Sequence, residues 1–290
     1  MNYWILLVIV SALLLTGQDL IKKRMLQNEH ARKYTTTRYL VLALLGFLFV
    51  PFLQTTLTFE ILFILYLASV GACFGILYLT RAIKHMDISV CTPLTNIMPA
   101  FLLLFAFLFL REKPALLQIG GIFLLLVGAY LLEIRPHTHR SLDPLKELIK
   151  SRYMHYLLFS IIVFAMLAVF EKYYITNFVQ PLTYFFFFFI FTALNFLFLH
   201  WYRFGLKEIR RELSMNYAGY IFGGIFSVGA AVTYFVALMY VPVTLVIPLR
   251  RSTTLFTTLL GGRMFKEENS GMKALACGIM ILGAYLILAG

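Results

Sequence analysis

Two adjacent arginines, Arg250 and Arg251, lie inside a long apolar run, shortly after Pro248. An arginine within a membrane-spanning segment costs at least about 2.5 kcal/mol, and such residues usually face a cavity or a partner. The planar guanidinium suits carboxylate and phosphate oxygens. Because adjacent helical residues point about 100° apart, one arginine is expected to bind an anion while the other pairs with an acid or with carbonyls near the proline. The alternative is an arginine that only packs or reaches toward the membrane surface.

Acidic residues that could balance this charge occur at corresponding places in the two halves of the chain. They are Glu171 and Asp19, with Lys172 and Gln18 beside them. Glu171 is expected either to neutralise an arginine in the absence of substrate or to titrate as a coupling proton site. We therefore predict a coupling or counter-charge role for Glu171, Asp19 and Gln18.

The composition excludes a soluble globular enzyme. Of 290 residues, 61% are hydrophobic and 13% are charged, with a mean hydropathy of +0.85; soluble domains are about half apolar and a quarter charged. Each crossing of a bilayer takes roughly 20 apolar residues, so the chain has room for about ten crossings. The sequence shows no metal, nucleotide or nucleophile motif, so no cofactor and no enzymatic activity are expected. The net charge of +12 is attributed to membrane topology rather than to nucleic-acid binding.

Apolar runs separated by charged or turn residues predict an all-α integral membrane protein with ten transmembrane helices. A polar stretch near the middle divides the chain into a first five-helix repeat at residues 1–135, a linker with an interfacial helix at 136–152, and a second repeat at 153–290. The ten predicted spans are 3–22, 38–55, 60–82, 88–110, 115–133, 153–175, 181–202, 216–239, 242–264 and 271–289.

An internal repeat relates the two halves. Shifting the chain by 155 residues gives 10 identities over the 51 positions from 82 to 132. Because each half has an odd number of spans, the second must cross the membrane in the opposite sense, which is the inverted arrangement of alternating-access carriers around a central cavity. The same shift pairs Arg250 and Arg251 with Thr95 and Asn96, one turn after Thr92. These three polar residues either meet a neutral, hydroxyl-bearing end of the ligand or bond neighbouring helices.

Basic residues are distributed unevenly between the two sets of loops. Those after the odd-numbered spans hold 20 of the 25 Lys and Arg residues, and the opposite loops hold 3. Since basic loops stay in the cytoplasm, both termini are predicted to lie outside it.

Residues 78–132 carry a Tyr-Leu-x-x-Ala-Ile segment, a proline-bearing helix, Arg111-Glu112 and Gly120-Gly121. This segment resembles the second half of an EamA-type repeat, and residues 233–288 resemble it again. The chain is thus similar to the drug/metabolite transporter superfamily. The resemblance implies a secondary carrier whose cavity is lined by spans 1, 3 and 4 of one half and 6, 8 and 9 of the other. The resemblance also implies that both termini lie in the cytoplasm, which disagrees with the orientation predicted from the basic residues of the loops.

Within this superfamily, the arginine pair resembles the Lys-Arg pair of the sugar-phosphate branch, which implies a phosphorylated ligand. We therefore predict transport of a small organic anion or metabolite by alternating access. A flippase for a lipid-linked phosphate or sugar and an intramembrane lipid-phosphate enzyme are the alternatives. The expected partners are a small-molecule substrate and membrane lipids. Proton coupling or exchange, and a monomer or homodimer, stay open, and the expected location is the inner (plasma) membrane of a prokaryotic cell.

Three further groups of residues have expected roles. Tyr78 and Tyr234 are expected to line the cavity. Glu112 and Glu267, which follow spans 4 and 9, are expected to cap the N-terminus of the next helix. The run of five phenylalanines at 185–189 is expected to face lipid.

Overall fold

A computed structural model describes residues 3–26, 31–54, 56–86, 94–133, 151–204, 216–257 and 271–289. All regular secondary structure within these ranges is helical. In chain order the helices are α1 (Tyr3–Leu26), α2 (Ala31–Gly46, extended by a 3-10 segment Phe47–Phe52), α3 (Phe59–His85), α4 (Met98–Phe105, extended by a π segment Ala106–Leu110), α5 (Leu116–Glu133), α6 (Arg152–Asn177), α7 (Pro181–Phe204), α8 (Tyr217–Tyr240), α9 (Val243–Arg250) and α10 (Gly271–Ala289).

Six of the described helical segments are long and apolar enough to cross a membrane, in α1, α2 with its extension, α3, α6, α7 and α8. Shorter apolar helices occupy Met98–Leu110, Leu116–Leu131 and Leu275–Ala289. The predicted all-helical membrane class is confirmed, whereas the number of ten crossings stays a prediction. The predicted linker and its interfacial helix fall almost entirely outside the described residues.

The chain forms two compact units, each built from two stretches of sequence. The first unit comprises Met1–Cys73 and Glu171–Val241, and the second comprises Phe74–Phe170 and Pro242–Gly290. Each unit takes residues from both predicted repeats. The units are defined by packing and the repeats by sequence, so the predicted domain boundaries stay a prediction.

In the first unit, α1 packs closely along α8. A Cβ atom on Gly229 would lie 2.9 Å from Leu14, and one on Gly219 would lie 2.8 Å from Met25. The Ser11 hydroxyl donates to a backbone carbonyl of α8 at 2.7 Å. Because higher numbers on α1 meet lower numbers on α8, the two helices run antiparallel.

The phenylalanine run of α7 lies in the core of the first unit. Phe185, Phe186 and Phe188 are at most 8% exposed. The ring of Phe49, in the extension of α2, packs edge-on against Phe185 with centroids 5.9 Å apart. The expectation that this run faces lipid was wrong, because three of its five side chains are buried and pack against neighbouring helical segments instead.

In the second unit, α5 and α10 pack through small residues. A Cβ atom on Gly121 would lie 2.6 Å from the Gly283 carbonyl oxygen, and one on Gly128 would lie 2.9 Å from the Ala276 carbonyl oxygen. Moving seven residues forward on α5 moves the contact seven residues back on α10, so these helices are antiparallel. The 155-residue shift matches Gly121 with Ala276 and Gly128 with Gly283. The contact of Gly121 with Gly283 and the contact of Gly128 with Ala276 are therefore equivalent under the repeat.

Candidate functional site

The two predicted arginines lie at an interruption of the ninth helix. α9 covers Val243–Arg250, Arg251 and Ser252 form a turn, and helical structure resumes at Thr253. The residues of α9 before the arginines are buried, and both arginines are half-buried. Pro248 lacks the N–H that a regular helical ladder requires. The guanidinium groups therefore belong to a short, discontinuous helix and not to a continuous span.

Side-chain hydroxyls bind the backbone carbonyls at this break. Ser252, Thr253 and Thr254 each donate to the carbonyl three residues earlier, at 2.7 Å for Thr253 and 2.8 Å for Thr254. In hydrocarbon an unsatisfied carbonyl costs several kcal/mol, and Ser and Thr side chains can satisfy carbonyls freed where a helix breaks. The hydroxyl run after the arginines thus adds side-chain hydrogen bonds to the carbonyls at the break.

The region of α4 is interrupted at the same position of the repeat. Asn96 and Ile97 form a turn directly before α4, and they match Arg251 and Ser252 under the 155-residue shift. The N–H of Ile97 donates to the carbonyl three residues earlier at 3.1 Å, and that of Ser252 does so at 3.0 Å. The two breaks therefore share this backbone hydrogen bond but carry different side chains, neutral on one and cationic on the other.

The second unit holds both breaks. Arg251 Nη2 donates to the Met98 sulfur at 3.4 Å, so this guanidinium lies against the first turn of α4. Asn96 is buried and Thr95 is half-buried. The predicted ligand residues Thr95, Asn96, Arg250 and Arg251 thus lie on two elements of one unit, and their role as ligands stays a prediction.

Two other predicted ligand residues belong to the α3–α4 region. The Tyr78 ring packs between Tyr156 and Phe159 with centroid distances of 5.0 Å, and the Arg81 guanidinium lies 5.6 Å from its centroid. Thr92 lies outside the described residues. The packing of Tyr78 does not test its predicted place in a cavity.

The acidic candidate Glu171 lies in the first unit. The hydroxyl of Tyr234 donates to its carboxylate at 2.9 Å. Tyr184 is fully buried, its hydroxyl has no hydrogen-bond partner within the described structure, and it lies in electrostatic range of both Glu171 and Tyr234. Sequence reasoning missed Tyr184, because nothing in its sequence context distinguishes it from the other tyrosines. The predicted pairing of Glu171 with Arg250 joins residues of different units and stays a prediction.

Lys172, the neighbour of Glu171, is held by backbone carbonyls. Its ammonium donates to the carbonyls of Leu238 and Val241, at 2.5 Å and 3.1 Å. These groups belong to the C-terminal end of α8, where a cation also interacts favourably with the helix dipole. Lys172 therefore ties α6 to α8 beside the Glu171 carboxylate.

The candidates of α1 lie among cations that the sequence analysis assigned to a loop. Gln18 is 2% exposed and Asp19 is half-buried. Lys22 lies in electrostatic range of Asp19 and Arg38. Arg38 Nη2 donates to the Ser227 hydroxyl on α8 at 3.4 Å. A polar cluster thus joins α1, α2 and α8 within the first unit.

Sequence reasoning missed Arg38 because it placed the start of the second span at that residue. α2 begins at Ala31, seven residues earlier, so Arg38 lies well inside the helix. The segment 31–37 contains neither Gly nor Pro, and this continuity was the available signal.

Glu112 caps a helix other than the one expected. Its carboxylate accepts hydrogen bonds from the backbone N–H groups of Val243 and Thr244, at 3.0 Å and 3.1 Å, and from the Thr244 hydroxyl at 2.8 Å. Arg111, with a φ of 56°, is in the left-handed region and ends the π segment of α4. Glu112 follows this sharp turn, and its side chain reaches the N-terminus of α9. The predicted capping role is correct, but the expected helix, α5, was wrong, because the carboxylate accepts its hydrogen bonds from α9 of the other repeat. Glu267 lies outside the described residues.

The chain was compared with known protein families. The profile of the EamA-like transporter family matches the chain twice, at residues 2–134 and 152–289. The chain belongs to the EamA-like transporter family. The resemblance to the drug/metabolite transporter superfamily is thereby confirmed, and this EamA-like protein is a multi-pass membrane protein of a family whose members are transporters and not enzymes.

Other comparisons concern single proteins. No curated protein matches the chain significantly in sequence. Twenty-nine chains of solved structures match significantly in fold. One of them, titled only "Crystal structure of protein", has a TM-score of 0.78 and 16% identity, with 99% of this chain and 96% of that chain covered. At this identity the likeness shows the fold alone.

Proposed function

We propose that this EamA-like protein is a secondary transporter that moves a small organic anion, preferentially a phosphorylated one, across the inner membrane of a prokaryotic cell by alternating access. The proposed scaffold has ten crossings in two inverted five-helix repeats. The antiparallel packing of α5 against α10 supports the inversion, because the repeat exchanges its two glycine contacts.

One observation carries the choice of ligand. The repeat-equivalent breaks before α4 and after α9 share one backbone hydrogen bond, from Ile97 and from Ser252, and differ in charge, with Asn96 on one and Arg251 on the other. Discontinuous helices are the usual place for substrate sites in carriers with repeats. A site with cations on one side and neutral polar groups on the other suits a ligand with an anionic end and a hydroxyl-bearing end.

The experiment is uptake and exchange by purified protein in vesicles, with radiolabelled sugar phosphates, nucleotide sugars and carboxylates. Arg250→Gln or Arg251→Gln removes a charge-assisted contact of about 1.5–3 kcal/mol, so the affinity should fall at least about tenfold. Lysine at the same position keeps the charge but loses the planar fork and should rescue only partly. Thr95→Ala removes a neutral hydrogen bond of about 1 kcal/mol and should cost less.

Two results would overturn the proposal. If both arginine-to-glutamine variants are folded and transport with the parental affinity and rate, the anion assignment fails. If no soluble anion moves while a lipid-linked phosphate is flipped, the protein is a flippase and the carrier assignment fails.

The Glu171–Tyr234 pair is the proposed coupling or counter-charge group. Glu171→Gln removes the charge, and Tyr234→Phe removes only the hydroxyl that donates to it. A coupling site predicts that Glu171→Gln abolishes pH-driven accumulation and leaves exchange intact. A counter-charge predicts altered stability with little effect of pH on uptake. Tyr234→Phe should reproduce the same pattern more weakly, because the carboxylate stays.

A further inference from the structure

The polar cluster of α1, α2 and α8 carries more positive than negative charge. Lys22 and Arg38 lie in electrostatic range of each other, with Asp19 as the carboxylate in range of Lys22. All three are half-buried. By formal charge, the described side chains of Lys22, Arg38 and Asp19 together carry +1. Partly buried charges of one sign repel strongly unless an opposite charge compensates them.

Unpartnered polar atoms at this cluster are hydrogen-bond donors. Gln18 is 2% exposed, and its amide nitrogen has no partner within the described structure. Arg38 Nε is also buried without a partner there. Gln18 and Lys22 are four residues apart on α1 and so lie on the same helix face. Donors without acceptors fit a ligand that offers several acceptor oxygens.

Arg38 is held in place from two sides. Its Nη2 donates to the Ser227 hydroxyl at 3.4 Å, and its guanidinium lies 5.7 Å from the centroid of the Tyr39 ring. Ser227 in turn donates to the Gly223 carbonyl at 2.7 Å, so its oxygen is fixed on α8. These contacts orient the guanidinium and leave Nε without an acceptor.

We propose that the cluster of Gln18, Lys22 and Arg38, in which Ser227 orients the Arg38 guanidinium, is a phosphate-binding site, separate from the arginines of α9. Its ligand is the phosphate of an anionic lipid headgroup or free phosphate. Phosphate supplies both the missing negative charge and the acceptor oxygens, and basic pockets between transmembrane helices are known to hold phosphate headgroups.

The test measures binding to the full-length protein in detergent, after removal of bound lipid. The probes are short-chain phosphatidylglycerol, diacylglycerol as a lipid without phosphate, and inorganic phosphate, with native mass spectrometry and titration calorimetry as readouts. Phosphatidylglycerol should bind and diacylglycerol should not. If inorganic phosphate displaces phosphatidylglycerol, the site binds free phosphate. If phosphatidylglycerol binds and inorganic phosphate does not displace it, the site binds lipid. Binding of neither phosphate probe overturns the proposal.

Variants locate the site. Arg38→Gln and Lys22→Gln should each lower the phosphate affinity at least about tenfold. Arg24→Gln removes an exposed cation from the same end of α1 and should change the affinity less than about twofold. Arg251→Gln should leave the affinity for phosphatidylglycerol unchanged, which separates this site from the proposed transport site. Equal losses for Arg24→Gln and Arg38→Gln would show diffuse attraction and refute the site.

Gln18→Met provides a second test of the site if Arg38→Gln or Lys22→Gln does not fold. Methionine removes a buried donor that lacks a partner, so the ligand-free protein should melt at a higher temperature. The same change should lower the phosphate affinity severalfold. A Gln18 that serves only the fold would give the opposite result, a lower melting temperature with unchanged phosphate binding.

Discussion

Replacing Glu112 by glutamine tests whether one side chain at the end of α4 stabilises the helix that carries the arginines. The carboxylate accepts three hydrogen bonds at the N-terminus of α9, two from backbone N–H groups and one from the Thr244 hydroxyl. Glutamine has nearly the same shape, but it has one acceptor oxygen, and its NH₂ group faces a donor. The substitution therefore removes the negative charge and at least one of the bonds while it preserves the packing.

The expected loss follows from these contacts. A helix cap contributes about 0.5–2 kcal/mol, and a hydrogen bond to a charged group about 1.5–3 kcal/mol. These ranges describe the same bonds and are not added, so Glu112→Gln should lower the free energy of unfolding by about 2 kcal/mol. Thr244→Val removes only the hydroxyl bond and should cost about 1 kcal/mol. The double variant should cost less than the sum, because both changes remove the same bond.

These differences in the free energy of unfolding are measured by heating the protein in detergent and monitoring how fast its buried cysteine is labelled. Glu60→Gln is the matched control, since Glu60 is an exposed acid in the first turn of α3. An exposed position of this kind should change stability by less than about 0.5 kcal/mol. If Glu112→Gln and Glu60→Gln melt at the same temperature, the carboxylate does not stabilise α9 and the reasoning is wrong.

Three further outcomes are expected. Gly121→Ala should destabilise the protein by about 1–3 kcal/mol, because the new methyl meets the Gly283 backbone, whereas Gly120→Ala, with no atom within 4 Å, should be neutral in the same melting assay. Lys172→Met should lower the melting temperature by leaving the Leu238 carbonyl without its ammonium donor, and an unchanged melting temperature would contradict that role. A cysteine tag at the C-terminus should react with an impermeant reagent in intact cells if the loop-charge count is right; labelling only after permeabilisation would favour the family norm.

Apolar runs were sufficient to predict the helices, because a membrane span is specified by length and composition. The predicted bounds of the third, sixth and seventh spans differ from those of α3, α6 and α7 by at most three residues. The same reasoning failed for the lipid-facing assignment at 185–189, since composition does not distinguish lipid from a neighbouring helix as the environment of a phenylalanine. It also failed at Arg38, where a basic residue inside a helix was taken as its boundary.

The candidate site was predictable where chemistry is local. Arg250 and Arg251 were selected by charge alone. The interruption of the helix next to them was indicated by Pro248. The repeat-equivalent turn at Asn96 follows Pro93 at the same three-residue spacing at which Arg251 follows Pro248, so the repeat and its two prolines were the available signal for this second break. The target of Glu112 depends on which helix end lies nearest in space, and the sequence around that residue does not specify it.

The hydroxyls at the α9 break also bear on which ions can drive transport. Carriers with broken helices often use the carbonyls freed there to coordinate sodium. Here the carbonyls of three successive residues, from Leu249 to Arg251, already accept hydroxyl hydrogen bonds. A sodium ion at this point would have to displace those hydroxyls and approach two guanidinium groups. The break is therefore unsuited to an alkali cation, and we expect any ion that drives transport to bind elsewhere in the chain.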